Sequence, residues 1–142
     1  MTNSNLDSYI NFYTSLSEEK IANLESVMTE DIHFVDPFND VYGIKGVEEI
    51  FHDMYKKLTN PKFKITNSAF SRENEKIALL NWELTSTLGK HNFTIIGMSE
   101  VRFAEDGRVN SHIDHWDSGK QFYQRLPIIG WIIKIIRKRL EA

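Results

Sequence analysis

Cysteine is absent from the 142 residues. That excludes disulfides, thiolate metal sites and a cysteine nucleophile, and it agrees with a reducing compartment, so a cytoplasmic location is the default expectation. No apolar run approaches the ~20 residues needed to span a bilayer. Net positive charge is also missing: 17 Lys and Arg face 20 Asp and Glu, a formal balance of −3, which argues against general nucleic-acid binding. Met1 to Asp7 is polar and lacks the basic-then-apolar order of a signal peptide, so none is expected. What remains, 41% hydrophobic and 12% aromatic residues, suits one packed domain with a real core.

Leu6, Tyr9, Ile10, Tyr13 and Leu16 recur at helical spacing and predict a first helix. Ser17 is placed to cap a second, with Ile21, Leu24, Val27 and Met28 as its apolar stripe. Ile32 to Asp36 reads as a short strand stopped by Pro37. Val47, Ile50, Phe51, Met54, Tyr55 and Leu58 then mark an amphipathic helix between Gly46 and Thr59.

After Pro61 the period changes from 3.6 to 2. Phe63, Ile65 and Asn67 alternate with polar residues. Ala78, Leu80, Trp82 and Leu84 mark one face of a long strand. Gly89-Lys90 suits a turn, His91 to Phe103 a third β-segment, and Glu105-Asp106-Gly107-Arg108 a hairpin into a last strand, Val109 to Trp116. The expected fold is α+β: helices segregated to one side of a curved antiparallel sheet, with an apolar cavity at its open end.

The densest chemistry lies at His112-Ile113-Asp114-His115-Trp116-Asp117. Residues two apart on a strand share a face, so His112, Asp114 and Trp116 point one way, and Ile113, His115 and Asp117 the other. A spacing of roughly 7 Å along the strand suits a ligand or a water relay between His112 and Asp114 better than a direct hydrogen bond. A metal site needs at least three ligands converging on one point, and the alternation splits these four two and two, so neither metal nor another cofactor is expected. The competing reading makes Asp114 or Asp117 a cap and leaves the histidines in ordinary hydrogen bonds.

The helix pair, Phe34-Val35-Asp36-Pro37, Gly43 and Gly46 ahead of an amphipathic helix, and the four strands resemble the nuclear transport factor 2-like superfamily, nearest its SnoaL-like and ketosteroid-isomerase-like branch. The resemblance covers about residues 6–118. It implies a conical α+β barrel with a mostly apolar pocket, paired into homodimers through the sheet, in a superfamily that holds isomerases, cyclases, epoxide hydrolases, dehydratases and proteins without chemistry. Residues 1–118 would form that barrel and 119–142 a helical extension. Asp36 matches the isomerases' general base, which works when an apolar cavity lifts its pKa; it equally suits a turn that Asp36 caps. The isomerases' partners are missing. Ser99 stands where their protonated aspartate would, and Phe12 where their tyrosine would, with Tyr13 one step off the required face. His112 and Asp117 resemble a histidine and an aspartate carried by many SnoaL-like proteins around their last strand. The expected catalytic set is Asp36 with His112 or Asp114, in a pocket of Tyr13, Phe34, Phe38, Trp82 and Trp116 that takes a small hydrophobic molecule. His115 and Asp117 read as the hinge into the tail.

After Pro127 the residues Ile128, Ile129, Trp131, Ile132, Ile133, Ile135, Ile136 and Leu140 cover most of a helix circumference. Gly130, Lys134, Arg137, Lys138 and Glu141 form a narrow polar stripe, with Arg139 off it. Such a helix packs on its own barrel or a dimer partner, or makes a peripheral membrane contact through residues 128–140. Two function classes follow: an acid–base enzyme of isomerase, cyclase or hydrolase type, and a non-catalytic ligand-binding or assembly module.

Overall fold

The computed structural model describes residues 3–141. Helix α1 (Asn3–Thr14) is followed by a 3-10 segment, Glu18–Ser26, strands β1 (Met28–Val35) and β2 (Asp40–Tyr42), and helix α2 (Ile44–Lys57). Strands β3 (Thr59–Phe70), β4 (Ile77–Leu88), β5 (His91–Phe103) and β6 (Val109–His115) come next, then α3 (Ser118–Gln121), a 3-10 turn (Tyr123–Arg125) and α4 (Pro127–Leu140). The six strands form one curved, open sheet in the order β2-β1-β6-β5-β4-β3.

The expected meander holds for β3 to β6, all antiparallel. The sheet as a whole is mixed, however, because β1 lies parallel to β6, with Phe34 beside His112 and Val35 beside Ile113. Parallel neighbours need a long crossover, and α2 with the four strands β2 to β5 provides it. This pairing is what brings the early Phe34-Val35-Asp36 segment beside the late His112–Asp117 block.

Local chemistry explains the boundaries. The expected second helix is a 3-10 segment kinked at Asn23 (φ −107°, ψ 15°), and Ser17 makes no side-chain cap bond. Strand β1 starts four residues before the expected Ile32 because Met28 already pairs with Val109. Gly89 turns β4 into β5 at φ 61°, a conformation costly for any residue with a Cβ. Gly107 does the same for the β5–β6 hairpin at φ 88°.

The core lies between the concave sheet face and the helices: Leu6, Tyr9, Phe12 and Tyr13 of α1, Val47 and Phe51 of α2, and Ala78, Leu80, Val101 and Phe103 of the sheet. A smaller cluster of Trp82, Leu84 and Ile95 sits nearer the open end. There the tail is pinned by Gln121, whose side-chain amide accepts from the Ile96 backbone N–H at 2.7 Å and donates to the Ile96 carbonyl at 2.9 Å. It replaces the strand partner that β6 no longer provides.

Candidate functional site

Tyr9 and Tyr13 are four residues apart on α1 and so share its inward face. Tyr13 is buried in that interior and is not turned off it, as the alignment with the isomerases implied. Its ring stacks on His112 with centroids 5.5 Å apart and 26° between planes; Phe34 stacks on the same imidazole at 4.8 Å and 22°. His112 is thus sandwiched between aromatic faces and only 3% exposed.

Five side chains of this interior are joined by hydrogen bonds in sequence. Trp82 Nε1–H donates to Ser99 Oγ at 2.8 Å, and Ser99 Oγ–H donates to Asp114 Oδ1 at 2.5 Å. His112 Nε2 lies 2.7 Å from the same Asp114 Oδ1, and Tyr9 Oη lies 2.6 Å from His112 Nδ1. A carboxylate accepts, so Nε2 carries the ring proton and Nδ1 accepts from the Tyr9 phenol. The chain Tyr9–His112–Asp114–Ser99–Trp82 therefore directs its protons onto one oxygen, Asp114 Oδ1. Asp114 Oδ2 receives no hydrogen bond among the described residues, and the Asp114 side chain keeps 17% exposure against 3% for His112.

The direct His112–Asp114 bond corrects the water-relay expectation. The concave sheet face tilts the two side chains toward each other, closing the gap that an extended strand leaves. Trp82 also demands a special neighbour: a Cβ on Gly97 would stand 2.4 Å from Trp82 Cζ2, so only glycine lets the indole lie across β5 and reach Ser99.

Burial pushes the Tyr9 and Tyr13 phenols well above their usual range, and the Asp114 charge adds to both rises. The two phenols are close enough to influence each other's ionisation, yet the buried Tyr13 hydroxyl makes no hydrogen bond of acceptable geometry. A folded-state pKa raised above the unfolded value of 10.0 gives stability that is complete below pH 10 and is lost as pH rises toward the folded values. Chemical denaturation between pH 9 and 11.5 should lose about 1.4 kcal/mol per pH unit for each buried phenol once past 10. Tyr13→Phe should halve that slope. A slope unchanged by Tyr13→Phe would show that the phenol ionises freely in the folded chain.

The remaining expected site residues fall outside this chain of bonds. Asp36 is the main correction. Its Oδ1 accepts from the backbone N–H of Phe38 at 2.7 Å and of Asn39 at 2.8 Å, and Asn39 Nδ2 bonds both of its oxygens. The Pro37 turn thus occupies the carboxylate, and the geometry does not pair it with His112 or Asp114. Phe38 is half exposed and meets Trp116, Phe122 and Tyr123 edge-on, with centroids 5.2–6.0 Å apart. These four rings rim the open end, and Phe38 does not line the interior. Asp117 caps α3 by accepting from Lys120 N–H, which together with Arg137 holds its carboxyl below the usual range. His115 is exposed. Among the described residues no group of three or more His, Asp or Glu is arranged to hold a metal ion.

The expected apolar cavity is also filled differently. Phe34 and Tyr13 cover the imidazole, Phe51 and Phe63 pack edge-on against Tyr13, and Trp82 packs against Phe63. An open groove of about 570 Å³ runs instead past the ends of β3, β4 and β5 beneath Arg125, where Ser86, Thr87 and Asn92 line it beside Phe93. Tyr9 and Ser99 are the members of this chain of bonds that sequence reasoning did not include in the expected site. Two tyrosines with polar tips on the buried stripe of α1 were the available signal.

Comparison with solved structures gives the fold. A nuclear transport factor 2-like protein of unknown function from Exiguobacterium sp. 255-15 superposes with TM-score 0.68 at 18% identity, over 80% of this chain and 98% of that one. A Catenulispora acidiphila protein of ketosteroid isomerase-like fold, in complex with trimethylamine, gives 0.72 at 13%, over 92% and 98%. A Mycobacterium tuberculosis LEH-like epoxide hydrolase gives 0.65 at 13%, over 98% and 92%. No curated protein matches. The SnoaL-like domain model matches residues 9–112, from Tyr9 within α1 to His112, both members of the buried chain. The chain belongs to the SnoaL-like domain family.

Proposed function

We propose that the protein binds a small hydrophobic molecule at the open end of its sheet and moves a proton on it with Asp114. The observation that carries this reading is the buried chain of hydrogen bonds. It fixes one carboxylate oxygen with two donors and leaves the other without one, on a side chain that keeps 17% exposure. A structural carboxylate is normally satisfied on both oxygens; a general base needs a positioned oxygen with a lone pair to spare. His112 has both ring nitrogens engaged, so it serves as a positioning residue that orients Asp114. Asp36 takes no part. The unpartnered Tyr13 hydroxyl supports the same reading, because a buried donor without an acceptor costs stability that a bound ligand oxygen would restore.

The reaction is transfer of a proton from an activated C–H, or from water attacking the substrate. Solved structures of like fold include an epoxide hydrolase and a SnoaL-like polyketide cyclase, which are compatible with either. The test is incubation with a panel of small hydrophobic ketones and epoxides in D2O and in H2 18O. Mass spectrometry would read deuterium or 18O incorporation, and native mass spectrometry would read binding. Incorporation that depends on Asp114 is the expected result. Binding without incorporation would make the protein a ligand carrier and overturn the enzyme reading.

The homodimer belongs to the same proposal. The outer sheet face carries Leu79 and Ile96 exposed at 38% and 61%, and sedimentation equilibrium showing only monomer would remove it.

A further inference from the structure

Helix α4 is mounted with its apolar side outward. The residue it buries is Gly130, where a Cβ would stand 2.3 Å from the Gln124 carbonyl oxygen. Among the described residues its one ion pair to the domain is Arg137 to Asp117 at 2.9 Å. Gly130 and Arg137 belong to the narrow polar stripe, so that stripe faces the protein. Ile128, Trp131 and Leu140 are 77%, 66% and 81% exposed, and Ile129, Ile132 and Ile136 are about half exposed. A helix that packs on its own barrel buries its apolar stripe; this one does the reverse, which overturns the own-barrel option for the tail.

Charge indicates what covers the face. Residues 118–142 carry six Lys or Arg against one Glu, whereas the preceding 117 carry eleven against nineteen Asp or Glu. Helix α4 itself has no acid and four cations. Lys134 and Lys138 flank the apolar arc on the side of Trp131, and Arg139 stands within it on a stem long enough to reach its edge. At 3.6 residues per turn the apolar arc covers roughly 200°, wider than one flat protein surface contacts but suited to a medium that closes around the helix. A tryptophan between apolar and cationic sectors matches the bilayer interface. Fourteen residues cannot cross a bilayer, and no helix among the described residues is long and apolar enough to do so.

We propose that α4 is an interfacial anchor that docks the protein on an anionic lipid bilayer, its isoleucines and Trp131 inserted at headgroup depth and Lys134, Lys138 and Arg139 against the lipid phosphates. The anchor leaves the domain through Tyr123, whose ring meets Phe38 at the rim of the open end, so docking sets that opening next to the membrane. This inference stands apart from Asp114 chemistry and survives its failure.

The test is flotation of the full chain with vesicles of phosphatidylcholine alone and of 70% phosphatidylcholine with 30% phosphatidylglycerol. The protein should float with the anionic vesicles and about a hundredfold less tightly with the neutral ones. The triple variant Lys134→Glu, Lys138→Glu, Arg139→Glu should lose at least as much, since each cation contributes about a factor of five at such a surface. Ile132→Ser with Ile136→Ser should abolish binding separately; all five positions are exposed or half exposed, and a thermal melt checks that the domain stays folded. Brominated lipid should quench Trp131, read as the difference from Trp131→Phe. Absence of flotation with anionic vesicles overturns the proposal. So does flotation unaffected by the triple variant, or a lipid-free dimer that the two serines dissociate, which would place a second copy on the face.

Discussion

Asp114→Asn is expected to leave folding and ligand binding intact and to lower turnover about 10²–10⁴-fold, the usual contribution of a positioned general base. The asparagine oxygen can still accept from His112 Nε2–H and Ser99 Oγ–H, so the buried chain of bonds survives with its geometry unchanged. What disappears is the lone pair at Oδ2, replaced by an N–H2 that cannot take a proton. The loss should fall on kcat with KM nearly unchanged, the signature of an interaction made only in the transition state. Asp36→Asn should behave differently. It weakens a turn held by two backbone donors and one side chain, and it should shift the melting temperature while leaving kcat within about threefold. If Asp36→Asn abolished incorporation and Asp114→Asn did not, the assignment of the base would be reversed.

His112→Ala should cost about 3–5 kcal/mol of folding free energy, which lowers the melting temperature by roughly 10–17 °C in a chain of this size. Three losses combine. The imidazole leaves a void between Phe34 and Tyr13, the Tyr9 hydroxyl loses its acceptor, and Asp114 loses one of two donors. His112→Phe separates them, since a phenyl ring fills the space but bonds neither neighbour. It should recover the packing part and retain a deficit of about 1–3 kcal/mol from the stranded Tyr9 hydroxyl. Equal stability of His112→Phe and the parent would mean that the histidine only fills space.

The fold was more legible than the site because its signals are local. Val47, Ile50, Phe51 and Met54 repeat at 3.6 residues whatever lies opposite them, and Ala78, Leu80, Trp82 and Leu84 alternate for the same reason. The His112–Asp117 block was legible as a location, and its faces were read correctly from alternation. What joins it to Tyr9 lies 103 residues away. That contact depends on the parallel β1–β6 pairing and the placement of α1, which no local period encodes. Asp36 stayed open between two readings because an aspartate before proline looks the same whether it points into a cavity or caps its own turn; the bonds to Phe38 and Asn39 show the turn. The tail is the reverse case. Its apolar arc was plain in the letters, but that the arc faces outward follows from Gly130 being the residue in contact with Gln124.

One measurement bears most directly on the central claim, that a directed chain of hydrogen bonds holds Asp114 from inside. Long-range 1H–15N correlation spectra, with His112 assigned by its loss in His112→Phe, read which ring nitrogen carries the proton. A protonated Nε2 bound to Asp114 and an unprotonated Nδ1 accepting from Tyr9 is the predicted state, with Tyr9→Phe shifting the Nδ1 resonance alone. The opposite tautomer, or an imidazole exchanging freely with solvent, would contradict it.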